Sequence, residues 1–326
     1  MKNEANGKKF KIAAAHEFGV LVVLVVIFII MSIASPVFLS PKNLVNVMRQ
    51  CVEIGVMSIG MTYLIVNGDM DLSIGSAFAV CAMIGGTLFK YELCSPTLAF
   101  LAMLLVGAGL GLVNGLLVTR VGIPSFIVTL GTMKIYRSFA YAISGGTSVS
   151  VFPDSATQSW VWKFGAKIHG VPVQIFIMLV MFVIAHIVLK KTVYGNHVYA
   201  TGGNERAARL SGISTKNTRL YAFIIQGVCC AMAAVIALTY LNSVTTTSGE
   251  GREMDCIAAV ILGGAALSGG RGTIVGTLIG VFIMGIVKNG MVLLGVPVFW
   301  QDGFIGIVVI LAVLADIFIH RKDAAR

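Results

Sequence analysis

Ten apolar runs, separated by charges, glycines and prolines, constrain this chain more than any other feature. They cover roughly residues 18–35, 51–66, 73–89, 97–119, 124–144, 172–190, 219–241, 254–269, 273–288 and 299–319. A membrane-spanning helix takes ~20 mostly apolar residues, so the pattern predicts an all-α polytopic membrane protein of about ten transmembrane helices. Composition agrees: 57% of the residues are hydrophobic and 12% charged, where soluble domains carry about 25% charge. Too little polar surface exists to coat a water-soluble globule. A soluble enzyme, a disordered tail and a disulfide scaffold are thereby set aside. Glycine-rich breaks at 67–69 and 263–270 predict interrupted helices, which a bilayer tolerates only where protein or a water-filled cavity satisfies the backbone.

The net charge of +10 does not mark a nucleic-acid binder, because the basic residues lie in the gaps between runs rather than on one face. With the N-terminus inside, fifteen of the 24 Lys and Arg fall on inner segments, which predicts that both termini are cytoplasmic. The expected organisation is a cytoplasmic tail over 1–17, a single transmembrane domain over 18–319, and a cytoplasmic tail over 320–326. A cytoplasmic loop over 191–218 and an external loop over 145–171 interrupt the domain. The N-terminal run is longer than a signal peptide's apolar core, and Pro36 follows the only small-residue site, so it reads as a retained first span. The six cysteines lack metal or redox spacing and read as reduced packing residues. No paired His/Glu, Ser/Lys or Asp/Asp constellation suggests catalysis, so no catalytic residue and no metal ligand is assigned.

Several residues stand out within this frame. In the external loop, Phe152, Asp154, Trp160 and Trp162 read either as an interfacial aromatic belt or as a docking surface for an external partner. Asp69, Asp71 and Ser73 form a polar break: an ordinary solvated turn with Asp71 capping the third span, or a lining of the translocation path. Asn114 and Gln226 lie in mid-span, where a buried amide bonds a neighbouring helix or, for Asn114, gives a passing solute transient hydrogen bonds. Lys134 and Arg137 either pair with an acid such as Asp69, Asp71 or Glu53 or mark a dip of the fifth helix toward water. Asp255 and Asp302 open spans near the outer surface, as caps or docking charges. Glycines recur every four residues at 272–280 and at 111–115, which predicts close helix packing within the subunit more than at a dimer seam. Met70-Asp71 and Met254-Asp255 open similar runs five spans apart, the offset of an inverted repeat.

The segment from Tyr199 to Ile213 is the most informative. Asn204 is a suitable N-cap, Glu205 suits the positive N-terminal end, and Gly212 suits the left-handed position beyond a short helix. Two turns are too few to be stable alone. Ala207, Ala208 and Leu210 offer small apolar contacts while Arg206 and Arg209 offer charge, which is the make-up of a knob seated in another protein, or of a turn lying on the lipid surface.

This segment resembles the cytoplasmic coupling region of sugar-type ABC importer permeases, the ribose-permease family. Glu205-Arg-Ala-Ala208 followed by Gly212 is similar to the EAA…G loop that such permeases insert into their ATPase, with Arg206 standing where the family motif has Ala. Gly60-Met-Thr62, Gly68 to Gly75, Pro124 to Gly131 and Leu262 to Gly272 are matching blocks in the same order. The resemblance implies a fold like the vitamin-B12 importer permease, a second permease copy, a cytoplasmic two-cassette ATPase, an external sugar-binding protein and a bacterial inner-membrane location. It assigns ATPase coupling to Asn204, Glu205, Arg206, Ala207, Ala208, Arg209, Leu210 and Gly212. Asp71, Ser73 and Asn114, with Phe126 and Thr129 of the Pro124–Gly131 block, are candidate pathway residues. The chain carries no GxxxxGK[ST] phosphate loop, so ATP and Mg are expected to be used by a partner chain and no cofactor by this one. An ion-coupled secondary transporter, working without an ATPase, is the alternative from another class.

Overall fold

The computed structural model describes residues 2–297 together with 299–301, 303–307 and 310, with side chains from residue 18 onward. Among the described residues twelve α-helices up to Leu293 follow one another: α1 (Lys2–Ala34), α2 (Pro41–Asn67), α3 (Ile74–Lys90), α4 (Pro96–Leu116), α5 (Ser125–Ser144), α6 (Asp154–Thr157), α7 (Val173–Lys191), α8 (Val193–Gly203), α9 (Glu205–Leu210), α10 (Thr215–Leu241), α11 (Arg252–Leu262) and α12 (Ile274–Leu293). Nine of the ten apolar runs coincide with α1 to α5, α7 and α10 to α12. The tenth lies mostly outside the described residues, as do Asp302 and the segment 320–326. Among the described residues five helices are long and apolar enough to cross a membrane: α2, α4 with its π-helical continuation to Val121, α7, α10 and α12.

Three boundaries differ most from the hydropathy pattern. The first run was expected to begin at 18, yet α1 starts at Lys2 and takes in the segment expected as a tail. The second run was expected to begin at 51, yet α2 starts a decade earlier. Ser40 accepts a hydrogen bond from the Asn43 backbone and Pro41 occupies the first turn, a strong start signal. The polar Asn43 beyond it is buried because it exchanges hydrogen bonds of 3.0 and 2.9 Å with Asn289 of α12. The eighth run was drawn to 269, but α11 ends at Leu262, and the glycine-rich break expected at 263–270 is a loop over residues 263–273.

The core is built on α2 and α10, of which 94% and 78% of the most apolar window is buried, against 33% for α4 and α7. Their surfaces are thin enough to allow this. Gly107 and Gly111 of α4 sit where a Cβ would collide with the carbonyl oxygens of Gly227 and Phe223 on α10. Gly276 and Gly280 of α12 likewise abut Gly263 and the α11 carbonyl of Ala259. The four-residue glycine spacings therefore serve packing within the chain. In lipid, where apolarity gives helices no reason to associate, such contacts supply the dispersion and backbone approach that hold a bundle. All six cysteines are free, and five are buried.

The two ends of the bundle differ. One carries α8, α9 and the breaks at 67–73 and 263–273. The other carries the 145–171 loop, whose β1 (Val149–Ser150) pairs antiparallel with β4 (Ser243–Val244); β2 (Lys167–Ile168) and β3 (Val171–Pro172) form a hairpin within it.

Candidate functional site

The short helix α9 is defined by its caps. Asn204 Oδ1 accepts from the Ala207 backbone at 3.0 Å. Gly212, at φ +84°, closes the other end, where Gly212 N–H reaches Arg209 O and Ile213 N–H reaches Ala208 O. That pair of bonds is a Schellman motif, and it needs the left-handed residue that glycine supplies without strain. The helix is fixed on its own chain by one face only. Ala208 is buried there, whereas Asn204, Arg206, Ala207 and Arg209 are exposed and Leu210 is 90% exposed. Ala208, expected to face a partner, is thus part of the seat rather than of the free surface. The exposed face of α9 consists of Arg206, Ala207, Arg209 and Leu210.

Charge ties α9 to the bundle. Glu205 accepts from Arg209 at 2.8 Å and from Thr215 Oγ1 at 3.1 Å. Burial alone would raise its carboxyl, but those hydrogen bonds and the charges of Arg219 and Arg209 outweigh it and hold the group below the usual glutamate range. It therefore stays ionised at neutral pH and remains a suitable first-turn anion. Arg219, in the first turns of α10, donates from Nε and Nη2 to the two oxygens of Asp69 at 2.7 and 2.6 Å, while its Nη1 lies 3.9 Å from Glu205. Asp69 is 2% exposed. Arg219 carried no signal in the sequence beyond its place among the inner basic residues, because its partner is 150 positions away.

Backbone contacts reinforce the same junction. Gly270 N–H donates to Val66 O at 2.8 Å, and Tyr199 Oη donates to Gly272 O at 2.7 Å. Gly202, next to α9, lies against Val66 O and Gly270 N. Both glycine-rich breaks and the segment leading into α9 thus meet in one place.

The candidate pathway residues divide. Asp71 Oδ1 accepts from Ser73 N–H at 2.7 Å and from Ser73 Oγ at 2.6 Å; Asn114 Nδ2 donates to Ser73 Oγ at 2.9 Å and reaches Asp71 at 3.5 Å. Tyr136 of α5 donates to Asn114 Oδ1 at 3.1 Å. Asp71, Ser73 and Asn114 are all buried, so the break is neither a solvated turn nor a helix cap: Ser73 holds the N-cap position of α3. The network joins α3, α4 and α5. Thr129 is buried and bonds the Ser125 carbonyl at 2.8 Å, whereas Phe126 is 53% exposed on the outer surface of α5. Gln226 is buried against Gly60 and donates only to Cys230 Sγ.

At the opposite end the aromatic residues point mostly inward. Trp162 is buried, edge-on to Phe89 and Phe152, with its indole N–H on Asn242 Oδ1 at 2.7 Å. Trp162 is therefore a packing residue and not part of a docking surface, and Phe152 is half-buried against it. Trp160 is 43% exposed, with its N–H on Thr97, and Asp154 is exposed. Arg137 takes none of the three acids expected for it: it donates to the carbonyls of Thr246 and Ser248 and lies 3.9 Å from Glu250. Glu53 pairs with Arg252 at 2.5 Å and Asp255 with Lys288 at 2.6 Å. A cavity of about 300 Å³ opens here, lined by these four with Arg49 and Glu250.

Comparison with known proteins gives a consistent answer. A family model described as branched-chain amino acid transport system / permease component matches residues 43–313. The ribose import permease protein RbsC of Bacillus subtilis (strain 168) is 40% identical over 95% of this chain and 94% of its own. The ribose import permease protein RbsC of Escherichia coli (strain K12) is 37% identical over 91% and 92%. The L-arabinose ABC transporter permease protein AraH of Azospirillum brasilense is 34% identical over 94% and 89%. No solved structure matches significantly. Similarity at that level over nearly the full length means that the chain belongs to the branched-chain amino acid transport system / permease component family and is similar throughout to ABC permeases of sugar importers.

Proposed function

We propose that this chain forms the membrane pathway of an ABC importer for a ribose-like monosaccharide in the bacterial inner membrane. The relatives named for ribose and arabinose import support the sugar class. The single observation that carries the mechanism is the exposed face of α9, a capped two-turn helix seated by Ala208 and presenting Arg206, Arg209 and a nearly bare Leu210. A cytoplasmic two-cassette ATPase docks on it, and closure of the nucleotide sites pushes α9 against the bundle. The working particle is a permease dimer of the type II fold, with ten spans per subunit, both termini cytoplasmic and an external sugar-binding protein delivering the solute. Trp160 and Asp154 stay available for that delivery. The domain runs from 18 to 319, with tails of 1–17 and 320–326. ATP and Mg are consumed by the partner.

The pathway residues work by being satisfied without cargo. Asp71, Ser73 and Asn114 bond one another in this state, and a passing sugar exchanges hydroxyl hydrogen bonds with them at little net cost. Weak exchange suits a transporter, since a tight internal site would hold the solute. An ion-coupled mechanism would instead call for an intramembrane carboxylate available to an ion or proton, and Asp69 and Asp71 are both engaged with their own chain.

Reconstitution tests the reading. Proteoliposomes holding the permease and its ATPase, supplied with binding protein, should accumulate radiolabelled D-ribose or L-arabinose only with ATP. Uptake by the permease alone on a sodium or proton gradient would overturn the proposal.

A further inference from the structure

We propose that Arg219 is a positioning residue that makes α9 and the buried 67–73 break move as one piece, so that a push on α9 reaches the polar network at Asp71. This rests on the reading of α9 as the ATPase contact.

The guanidinium spans two elements that are otherwise separate in the chain. It grips Asp69 with two short bonds, the bidentate geometry that Arg provides and Lys does not. Its remaining nitrogen faces Glu205, the first residue of α9. Because Asp69 is 2% exposed, its charge has little water to replace a lost partner, and a buried carboxylate without a cation is strongly disfavoured. The grip on Asp69 is thus hard to release, while the contact with half-buried Glu205 is looser and can adjust.

Asp69 is rigidly joined to its neighbours on both sides in the chain. Its N–H bonds Leu64 O at 2.9 Å across the left-handed Gly68 that closes α2. Two residues later, Asp71 engages Ser73 and Asn114, and Asn114 engages Tyr136. A displacement of Arg219 therefore has a path into α3, α4 and α5, through the Asp69 side chain, the backbone from Asp69 to Asp71 and the hydrogen bonds beyond it.

The junction also has bonds to gain in another arrangement. Among the described residues, the Asn67 side-chain amide, with both of its polar atoms, and the Thr201 hydroxyl are buried without a hydrogen-bond partner in this conformation. They flank the contact between Gly202 and Val66. Buried polar groups are nearly always satisfied, and a segment with unmet groups on both sides is suited to a second packed state.

The test uses the assembled transporter in proteoliposomes with external binding protein, reading ATP hydrolysis and radiolabelled D-ribose uptake in the same vesicles. Arg219→Gln is expected to retain the ATPase in wild-type amount and to hydrolyse ATP, while uptake per ATP falls about tenfold, within the usual range of coupling between sites. Arg219→Lys should recover part of the loss. Asp69→Asn should match Arg219→Gln, and the double variant should be no worse than either, as expected for two residues in one link. Unchanged uptake per ATP in Arg219→Gln would overturn the proposal, and so would a loss that tracks loss of the ATPase from the complex. Leu210→Asp separates the role of α9 from that of Arg219. If it leaves the ATPase bound, the reading of α9 fails; if it releases the ATPase while Arg219→Gln transports normally, only the role of Arg219 fails.

Discussion

Gly202→Val is expected to abolish uptake, while Gly203→Ala, one residue along, leaves it near normal. The two glycines end the same helix, α8, and differ only in what surrounds them. A Cβ at 202 would collide with Val66 O and lie 2.7 Å from Gly270 N, both backbone atoms that cannot rotate away. At 203 the nearest atom is Gly270 Cα at 4.0 Å, an ordinary contact. Overpacking a tight site costs typically ~1–3 kcal/mol and occasionally more, and a collision with two backbone segments belongs at the upper end. The valine would wedge the coupling segment off both glycine-rich breaks at once and strain the Gly270–Val66 hydrogen bond. The check is paired: melting temperature and yield of each purified variant in detergent, and ATP-driven uptake after reconstitution. A clear drop in all three for Gly202→Val, beside changes of less than about twofold for Gly203→Ala, fits ordinary limits for exposed positions. Equal behaviour of the two would mean that α8 does not need this close approach.

Leu210→Asp is expected to remove the ATPase while leaving the permease folded. Leu210 is 90% exposed and contributes nothing to the bundle's own packing, so its replacement has little to disturb in the isolated chain. Covering a leucine in an interface is worth about 1.5–3 kcal/mol, and a carboxylate in its place adds a desolvation cost. A loss of about 2 kcal/mol corresponds to roughly 30-fold in affinity. The measurement is retention of the ATPase during purification of each variant, with the melting temperature of the permease as the fold control. Ala208→Arg makes a poor companion, although the family motif singles that alanine out. Ala208 is buried against its own chain, so an arginine there would unseat α9, and loss of the ATPase would not distinguish coupling from folding. Ala207→Arg, on the exposed face, is the cleaner second variant.

What the sequence made legible was local. Capping follows from residues within one turn, so Asn204, Glu205 and Gly212 announced α9, and the structure places a helix of that extent between them. The apolar runs announced most of the helices for the same reason. Information that depends on a distant partner was lost. Asn43 looks like a polar interruption until Asn289 meets it, which is why α2 seemed to begin ten residues late. Trp162 looks like a surface aromatic until Phe89 and Asn242 enclose it. The break after Leu262, by contrast, was legible from local residues, since Gly263 and Gly264 interrupt an otherwise apolar run and α11 ends there. Arg219 is the most instructive case. Its position fits the bias of basic residues toward one side, and nothing within reach on the chain distinguishes it from Lys216; only the fold brings Asp69 and Glu205 to it.

If the exposed face of α9 carries the contact through which another chain supplies energy, cross-linking from that face will trap the partner. A cysteine placed at Leu210, in membranes containing the permease with its ATPase, should form a covalent adduct with the ATPase when a short thiol–amine cross-linker is added. A cysteine at Leu112, exposed on the outer surface of α4, serves as the control and should not. Adduct formation at 210 with none at 112 is the result expected. A complex that transports with ATP yet gives no adduct at 210, or gives one equally at 112, would contradict the account.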